Sequence, residues 1–583
     1  MIQQIVHYVG SAIDPAAFAF SIIGSLFGFS GYVAHSTMAF EKPVTPNIIQ
    51  DGLLSCLLLF FILYLVSRIV YMLADRSHIR DCTVKNDVVP NDNEAFHSRR
   101  ELRLAFLMQR TSAISFKYSI RKYFLFFWFI ILLCWIPWVI IYWPGALRDD
   151  TIPQMFQSLG LHRYYTQHPI FDTLIFGIFW HCGEMLGSLR YGLAIYTVCQ
   201  TVALSFVSAL SLCYLRKIGV PRLFAGLLLA FISTSYVVAG AVPTMSKDSL
   251  HALFMVPFSI LFVEICRTRG SVLRRPLIIG AFIVLSCFVM MTKRTGLEVV
   301  VCASIFLFFA MYENRKKFVV GLLIAIALVQ LAWLPLSQKM TDAEESPNKE
   351  IYGLIIQPLA RVQAKDPDKI SVSQHQAISN FADLDRAGKI YNPTRTDEAT
   401  WTYNPDATIS DKLKAVKVWF SVGTNNIVEY AKAYVGFTYG WSYLWQSFSY
   451  PTDSLYLFNN DYMKLWGSFL SDPEDAESIL GPLMEIPDKP DFVTSAAYSL
   501  NQVGKKDVGN PLCSMGLYVT YLPLMIISYL VFRKQWIKAV AWTFLGFFVL
   551  ALYLSPMALF WYPISVYFML PIFGELMFCR FDK

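Results

Sequence analysis

The chain has no Cys-X-X-Cys pair and no cysteine–histidine spacing of the kind that holds zinc. Its eleven cysteines are scattered. Cys56, Cys134, Cys199, Cys213, Cys287 and Cys302 fall inside apolar runs, and the one large polar region, 337–511, has none. A disulfide framework is therefore not expected. Charge is sparse as well, 16% of 583 residues. Neither half of the chain repeats the other, so an inverted-repeat transporter finds no support. No basic region precedes the first apolar run and no small-residue cleavage site follows it, so no cleaved signal peptide is expected. Nothing in the charge distribution calls for nucleic acid.

What the chain does have is apolar length. It is 55% hydrophobic with a mean hydropathy of +0.45, which no soluble domain of this size carries, so it reads as an α-helical polytopic membrane protein. About twelve transmembrane helices are expected, the first over 17–35, the third over 123–142 and the last over 560–578. The 16% aromatic content fits interfacial belts and also a ring-binding surface. Residues 75–122 hold ten Lys and Arg, including Arg99, Arg100, Arg103, Arg121 and Lys122. By the positive-inside rule this loop is cytoplasmic, and so are both termini. Region 337–511 carries 16 Lys+Arg against 23 Asp+Glu, net −7, which leaves +14 on the remainder of a chain of net +7. That asymmetry predicts an external 337–511. The run 170–186 is apolar, yet a full crossing there would put the basic loop after 191–215 outside. Parity therefore predicts a re-entrant or juxtamembrane helix, and Glu184 and His181 within it agree.

The chain is organised around Trp143–Pro169, WPGALRDDTIPQMFQSLGLHRYYTQHP. It follows an apolar run and sets Asp149 and Asp150 just beyond the membrane edge. Ionised groups do not sit bare in hydrocarbon. The pair fits a carboxylate base at the interface, and it equally fits a solvated loop. A second loop, PTMSKD (243–248), starts a helix with Lys247 and Asp248. A third, TKRTG (292–296), puts Lys293 and Arg294 on the outer side, against the positive-inside bias. Such cations need an anion. A phosphate suits Arg, with Lys247 and His168 expected on the same face; a structural ion pair between Arg294 and an acid is the alternative. Sugar transfer from a lipid phosphate fits this set. Cations hold the phosphate as charge builds, and a carboxylate takes the acceptor's proton in a direct, inverting attack.

In the polar region, helices are expected over 349–362 and 373–384. Val435–Trp466 holds Phe437, Tyr439, Trp441, Tyr443, Trp445, Tyr450, Tyr456, Tyr462 and Trp466 with few charges. That is either a platform for sugar rings or a belt resting on the membrane.

The pieces YWPGALRDDTIPQ, QHPIFDTL, SKDSL, KRTG, IQPLARV and YVGFTYGW occur in this order along the chain. With that layout the chain resembles the GT-C superfamily of polyprenyl-phosphate-dependent glycosyltransferases. It is similar, more closely, to an uncharacterised bacterial family of multi-spanning proteins grouped with GT-C. The resemblance implies a GT-C-like fold. It also implies that Asp150 is the acid of a D-x-x-x-Q pattern with Gln154, with Asp149 beside it. Lys247 and Asp248 match the second-loop pair, Arg294 the third-loop arginine, and Arg361 an arginine of the external domain. TKRTG stands where an arginine-asparagine-asparagine-glycine run is more usual, and VYFMLP (566–571) where an arginine-tyrosine pair is common.

The expected organisation is a two-span segment (1–75), a basic cytoplasmic loop (76–122), a GT-C-like catalytic module (123–336), an extracytoplasmic, mostly helical domain (337–511) and a C-terminal three-span segment (512–583). The expected activity is a glycosyltransferase of a bacterial cell membrane. Its partners are a polyprenyl-phosphate-linked sugar donor, a glycan, teichoic acid or glycolipid acceptor, and the bilayer. Asp150 is the expected base and Asp149 its helper. Lys247, Lys293, Arg294 and His168 would hold the donor phosphate. Gln154, Gln167, Asp248, Arg361, Tyr439 and Trp441 would bind substrate. A divalent cation is the one cofactor the two acids could hold, although no third ligand is evident. A lipid-linked saccharide flippase is the alternative. An acyl or phospho-group transferase is a third reading, but His162 and His168 lack an H-x-x-x-x-D spacing: Asp172 lies four residues after His168.

Overall fold

A backbone in hydrocarbon must satisfy its own polar groups, and the apolar runs of this chain do so as helices. The computed structural model describes residues 13–83, 115–148, 150–347, 349–448, 450, 467–468, 470, 472–484, 488–504, 509–579 and 581. In order the elements are α1 (Pro15–Ser36), α2 (Pro46–Thr83), α3 (Phe116–Tyr142), β1 (Ala146–Leu147), α4 (Thr151–Ser158), α5 (Ile170–Met185), α6 (Leu189–Lys217), α7 (Arg222–Thr234), β2 (Thr244–Met245), α8 (Lys247–Arg267), α9 (Pro276–Thr292) and α10 (Gly296–Ala310). There follow α11 (Arg315–Thr341), with a π-helical turn at Leu328–Trp333, then α12 (Gly353–Lys365), α13 (Val372–Ile378), α14 (Leu384–Lys389), α15 (Ile409–Asn425), α16 (Ile427–Thr438), α17 (Pro473–Met484), α18 (Asp491–Gly504), α19 (Leu517–Phe532), α20 (Trp536–Tyr553) and α21 (Ile564–Met577).

Among the described residues, seven helices are long and apolar enough to cross a membrane: α1, α2, α3, α6, α8, α11 and α20. Five more, α7, α9, α10, α19 and α21, are apolar but shorter. The chain is thus an all-helical, membrane-embedded protein. The helix α5 belongs to neither set. It packs against α4 and α6, with Asp172, Thr173, Phe176 and Trp180 buried.

One core joins α1–α3, α6–α10 and α19–α21 through residues such as Trp135, Phe258, Phe544 and Phe568. The first hairpin is tied to α19 by ions. Asp14 is 4% exposed and caps α1 by accepting from Ala16 N and Ala17 N. It also takes Arg68 at 2.9 Å and Arg533 at 2.7 Å, and Arg533 reaches Asp75 at 2.8 Å. Helices α12 to α16 enclose a second, separate core around Ile356, Leu359, Phe381 and Tyr430. The single helix expected over 373–384 is two. Phe381 and Ala382 turn into this core, and Asp383 caps a new helix by accepting from Arg386 N.

Most of the aromatic stretch after Val435 is packed away where it is described, and of its described rings Trp445 alone is exposed, at 40%. Phe437, Trp441 and Tyr450 are 2%, 0% and 0% exposed, and Trp441 and Tyr450 belong to the main core. Ring burial outcompetes exposure because each such ring removes a large apolar area from water. Tyr456, Tyr462 and Trp466 lie outside the described residues, as do Asp149, most of the basic loop (84–114), Arg580 and Lys583.

Candidate functional site

Two two-residue strands build the frame of the site. β1 pairs in parallel with β2, Ala146 opposite Thr244 and Leu147 opposite Met245. Gln200, a polar residue inside α6, donates from Nε2 to the carbonyls of Val242 and Thr244 at 2.6 and 2.8 Å. Thr151 Oγ1 donates to Met245 O at 2.7 Å. The loop after α3 and the loop before α8 are thus stitched together, over a small core of Leu147, Ile152, Phe156, Phe176, Trp180 and Met245. Gly145 permits the approach: its φ is +145°, and a Cβ there would stand 2.3 Å from Thr197 Oγ1.

Ser246 caps α8 by accepting from Ser249 N at 3.1 Å. Lys247 and Asp248 therefore occupy the first helical positions and project from the helix end. A lysine there opposes the helix dipole, and a carboxylate offsets it. Lys247 Nζ donates to Asp150 Oδ2 at 2.5 Å and lies 3.2 Å from His168 Nδ1. An ammonium has no lone pair, so Nδ1 is the acceptor and His168 carries its proton on Nε2. Asp248 takes Lys293 Nζ at 2.6 Å, and Lys293 also donates to Tyr562 O at 3.3 Å. Arg294 donates to Gln167 O at 3.4 Å and stands 3.6 Å from Glu350.

The pair Asp150–Lys247 lies deep among protein atoms yet keeps 29% and 18% of its side-chain surface accessible. Burial alone would raise the Asp150 pKa. The charge of Lys247, with its hydrogen bond, outweighs burial and holds it at about 2. Burial and the neighbouring Lys247 charge push His168 down to about 3, so the imidazole is neutral. Burial drives Asp172 well above the usual carboxylate range. The loop is roofed by the segment after α11. Glu344 N donates to Tyr164 O at 2.9 Å, Thr166 N to Glu344 O at 3.0 Å, and Arg163 pairs with Glu344.

Asp150, His168, Gln167, Lys247, Asp248, Lys293 and Arg294, drawn from four segments, therefore meet at one end of the bundle. Four other expected site residues do not join them. Gln154 is fully buried and holds α4 to α5 by donating to Thr173 Oγ1 at 3.0 Å. Arg361 is 1% exposed. It bonds Glu429 at 2.8 Å, Tyr391 Oη at 3.2 Å and Phe40 O at 3.2 Å, which ties the α12–α16 unit to the loop after α1. Trp441 is core, as described, and Tyr439 packs its ring towards His35, 6.2 Å between centroids.

Four residues escape the sequence reading. Asp172 is wholly buried beside the lysines. His251 sits one turn along α8 from Lys247, its Nδ1 2.7 Å from Thr292 Oγ1. Arg148 is 1% exposed, its guanidinium 4.6 Å from the Phe560 ring centre and 5.6 Å from that of Trp561. Tyr562 flanks Lys293. Only the i, i+4 spacing of Lys247 and His251 was a signal. Among the described residues no group of three or more His, Cys, Asp and Glu is placed to hold a metal ion.

Residues 161–580 match a family of unknown function, DUF6020. The chain belongs to this family. No curated protein and no solved structure matches it. The family stretch takes in His168, Asp172, Lys247, Asp248, Lys293 and Arg294, and begins after Asp150.

Proposed function

We propose that the chain is a GT-C-type inverting glycosyltransferase that moves a sugar from a polyprenyl-phosphate donor to an envelope glycan, teichoic acid or glycolipid at the outer face of a bacterial cell membrane. The seven long and five shorter apolar helices supply twelve spans in this reading, with both termini inside and α5 as a juxtamembrane helix. The carrying observation is the meeting of Asp150 with Lys247, His168, Lys293 and Arg294 around accessible space at a helix start.

The chemistry follows from partner exchange. At rest Lys247 is spent on Asp150, which is a weak base with a pKa near 2. An arriving phosphate competes for Lys247, Arg294 and the Nε2–H of His168. As Lys247 turns to phosphate, Asp150 loses its cation and gains basicity, so donor binding arms the base. The acceptor hydroxyl then attacks the anomeric carbon from the face opposite the phosphate. The C–O bond to phosphate breaks, its electron pair leaves with the lipid phosphate, and Asp150 takes the hydroxyl proton. Lys247, Lys293 and Arg294 face the charge that develops on the leaving group.

The test is incubation of purified protein in lipid nanodiscs with a panel of polyprenyl-phosphate sugars and candidate acceptors. Loss of lipid donor with formation of a glycoside of inverted configuration is expected. Movement of lipid-linked saccharide across sealed vesicles without any new glycoside would replace this reading with a flippase.

A further inference from the structure

Two lysines face three carboxylates at this site. Lys247 is engaged by Asp150 at 2.5 Å and Lys293 by Asp248 at 2.6 Å. The third acid, Asp172, sits in the first turn of α5 with no exposed surface, and neither of its side-chain oxygens has a hydrogen-bond partner. The elements packed on that turn account for its surroundings. α8 brings Lys247 and Asp248, the end of α9 brings Lys293, and α6 brings Tyr196, all close enough to act on it or feel it. α4 brings only the neutral Gln154 and Ser158, which bond to Thr173. His168 lies one turn earlier on its own segment.

We propose that Asp172 is a positioning residue that holds a proton while the site binds an anionic phosphate headgroup, and whose ionisation disarms the two lysines. This deepens the glycosyltransferase reading and rests on it. An ionised carboxylate enclosed without a donor costs far more than a neutral carboxyl does. Both available cations already have a nearer partner, so the third acid keeps its proton. Burial, which opposes its ionisation, acts in the same direction. As a carboxylate Asp172 would draw Lys247 and Lys293 inward and add a like charge beside the headgroup. As an acid it leaves both cations to the ligand.

The experiment uses the full-length protein in nanodiscs. Infrared spectroscopy of the wild type at neutral pH is expected to show a buried protonated carboxyl band. That band is lost in Asp172→Asn and displaced in Asp172→Glu. Binding of polyprenyl phosphate is then titrated towards alkaline pH, with inorganic phosphate as the free-anion arm. The wild-type affinity falls by roughly tenfold per pH unit once the band disappears. Asp172→Asn loses that limb and Asp172→Glu keeps one. Competition by inorganic phosphate at similar concentrations identifies a free anion as the ligand, and its absence a lipid-borne one; the linkage holds for either. A wild type without the band, or an Asn variant that follows the wild-type pH curve, overturns the proposal. A band that is present while neither phosphate binds at any pH overturns the headgroup reading and the linkage with it, but not the protonation of Asp172.

Discussion

At the scale of single residues the site is a set of mutually dependent charges. Removing one partner leaves the other partly buried and unpaired, which costs more than the pair contributes. Asp150→Asn is expected to lower transfer by about 10²–10⁴-fold, the usual range for a general base. The same change lowers stability by about 1–3 kcal/mol through the stranded Lys247. The double change Asp150→Asn with Lys247→Met restores much of that stability and none of the activity. Thermal unfolding followed by tryptophan fluorescence, with a transfer assay alongside, separates the two effects; full activity in Asp150→Asn removes it as base. His168 supplies a pH signature. Its folded pKa of about 3 lies below the ordinary 6.5, so between those values the unfolded chain binds a proton that the folded one refuses. Stability is then fully present above pH 6.5 and falls as the pH is lowered towards 3. His168→Gln flattens that slope, which unfolding midpoints measured across the window will show.

At the scale of elements, helix ends place the chemistry. α8 begins where Ser246 caps it, and Lys247 and Asp248 owe their projection to that start. Ser246→Ala is expected to cost ~1 kcal/mol, and to weaken phosphate binding by loosening the first turn. α9 and α10 are joined by a turn so close that a Cβ on Gly296 would lie 2.2 Å from Val289 O. Gly296→Ala must therefore shift the turn that carries Lys293 and Arg294. A loss of about 1–3 kcal/mol is expected from the overpacking, with weaker donor binding. Donor affinity equal to wild type in that variant would show that the turn does not position the two cations. The glycine of KRTG was visible in the sequence. Its reason, backbone against backbone, was not, because Val289 and Gly296 approach only when α9 and α10 fold back on each other.

At the scale of the whole molecule, the α1–α2 hairpin is fastened to α19 by Arg533, shared between Asp14 and Asp75. Arg533→Met leaves Asp14 with Arg68 alone in a place that is 4% exposed. A stability loss of ~3 kcal/mol or more is expected, and limited proteolysis should report it first as cleavage around residues 37–45. The apolar helices were legible because a span is a local property: twenty apolar residues make a helix in lipid whatever lies beside them. The placement of Gln154 and Trp441 was not legible for the converse reason. A polar or aromatic residue type does not say which way its side chain faces, and packing turned the first towards Thr173 and the second into the core.

Composition and apolar run length alone determined that this chain is a helical membrane protein with a polar segment after Thr341, because hydrophobic burial in lipid depends on local sequence. Only the tertiary structure decided that Asp150 meets Lys247, 97 positions away, and that Asp172 is closed off beside them. Contacts between loops exist only once the helices between them have packed, and charge, pKa and accessibility at the site are consequences of that packing.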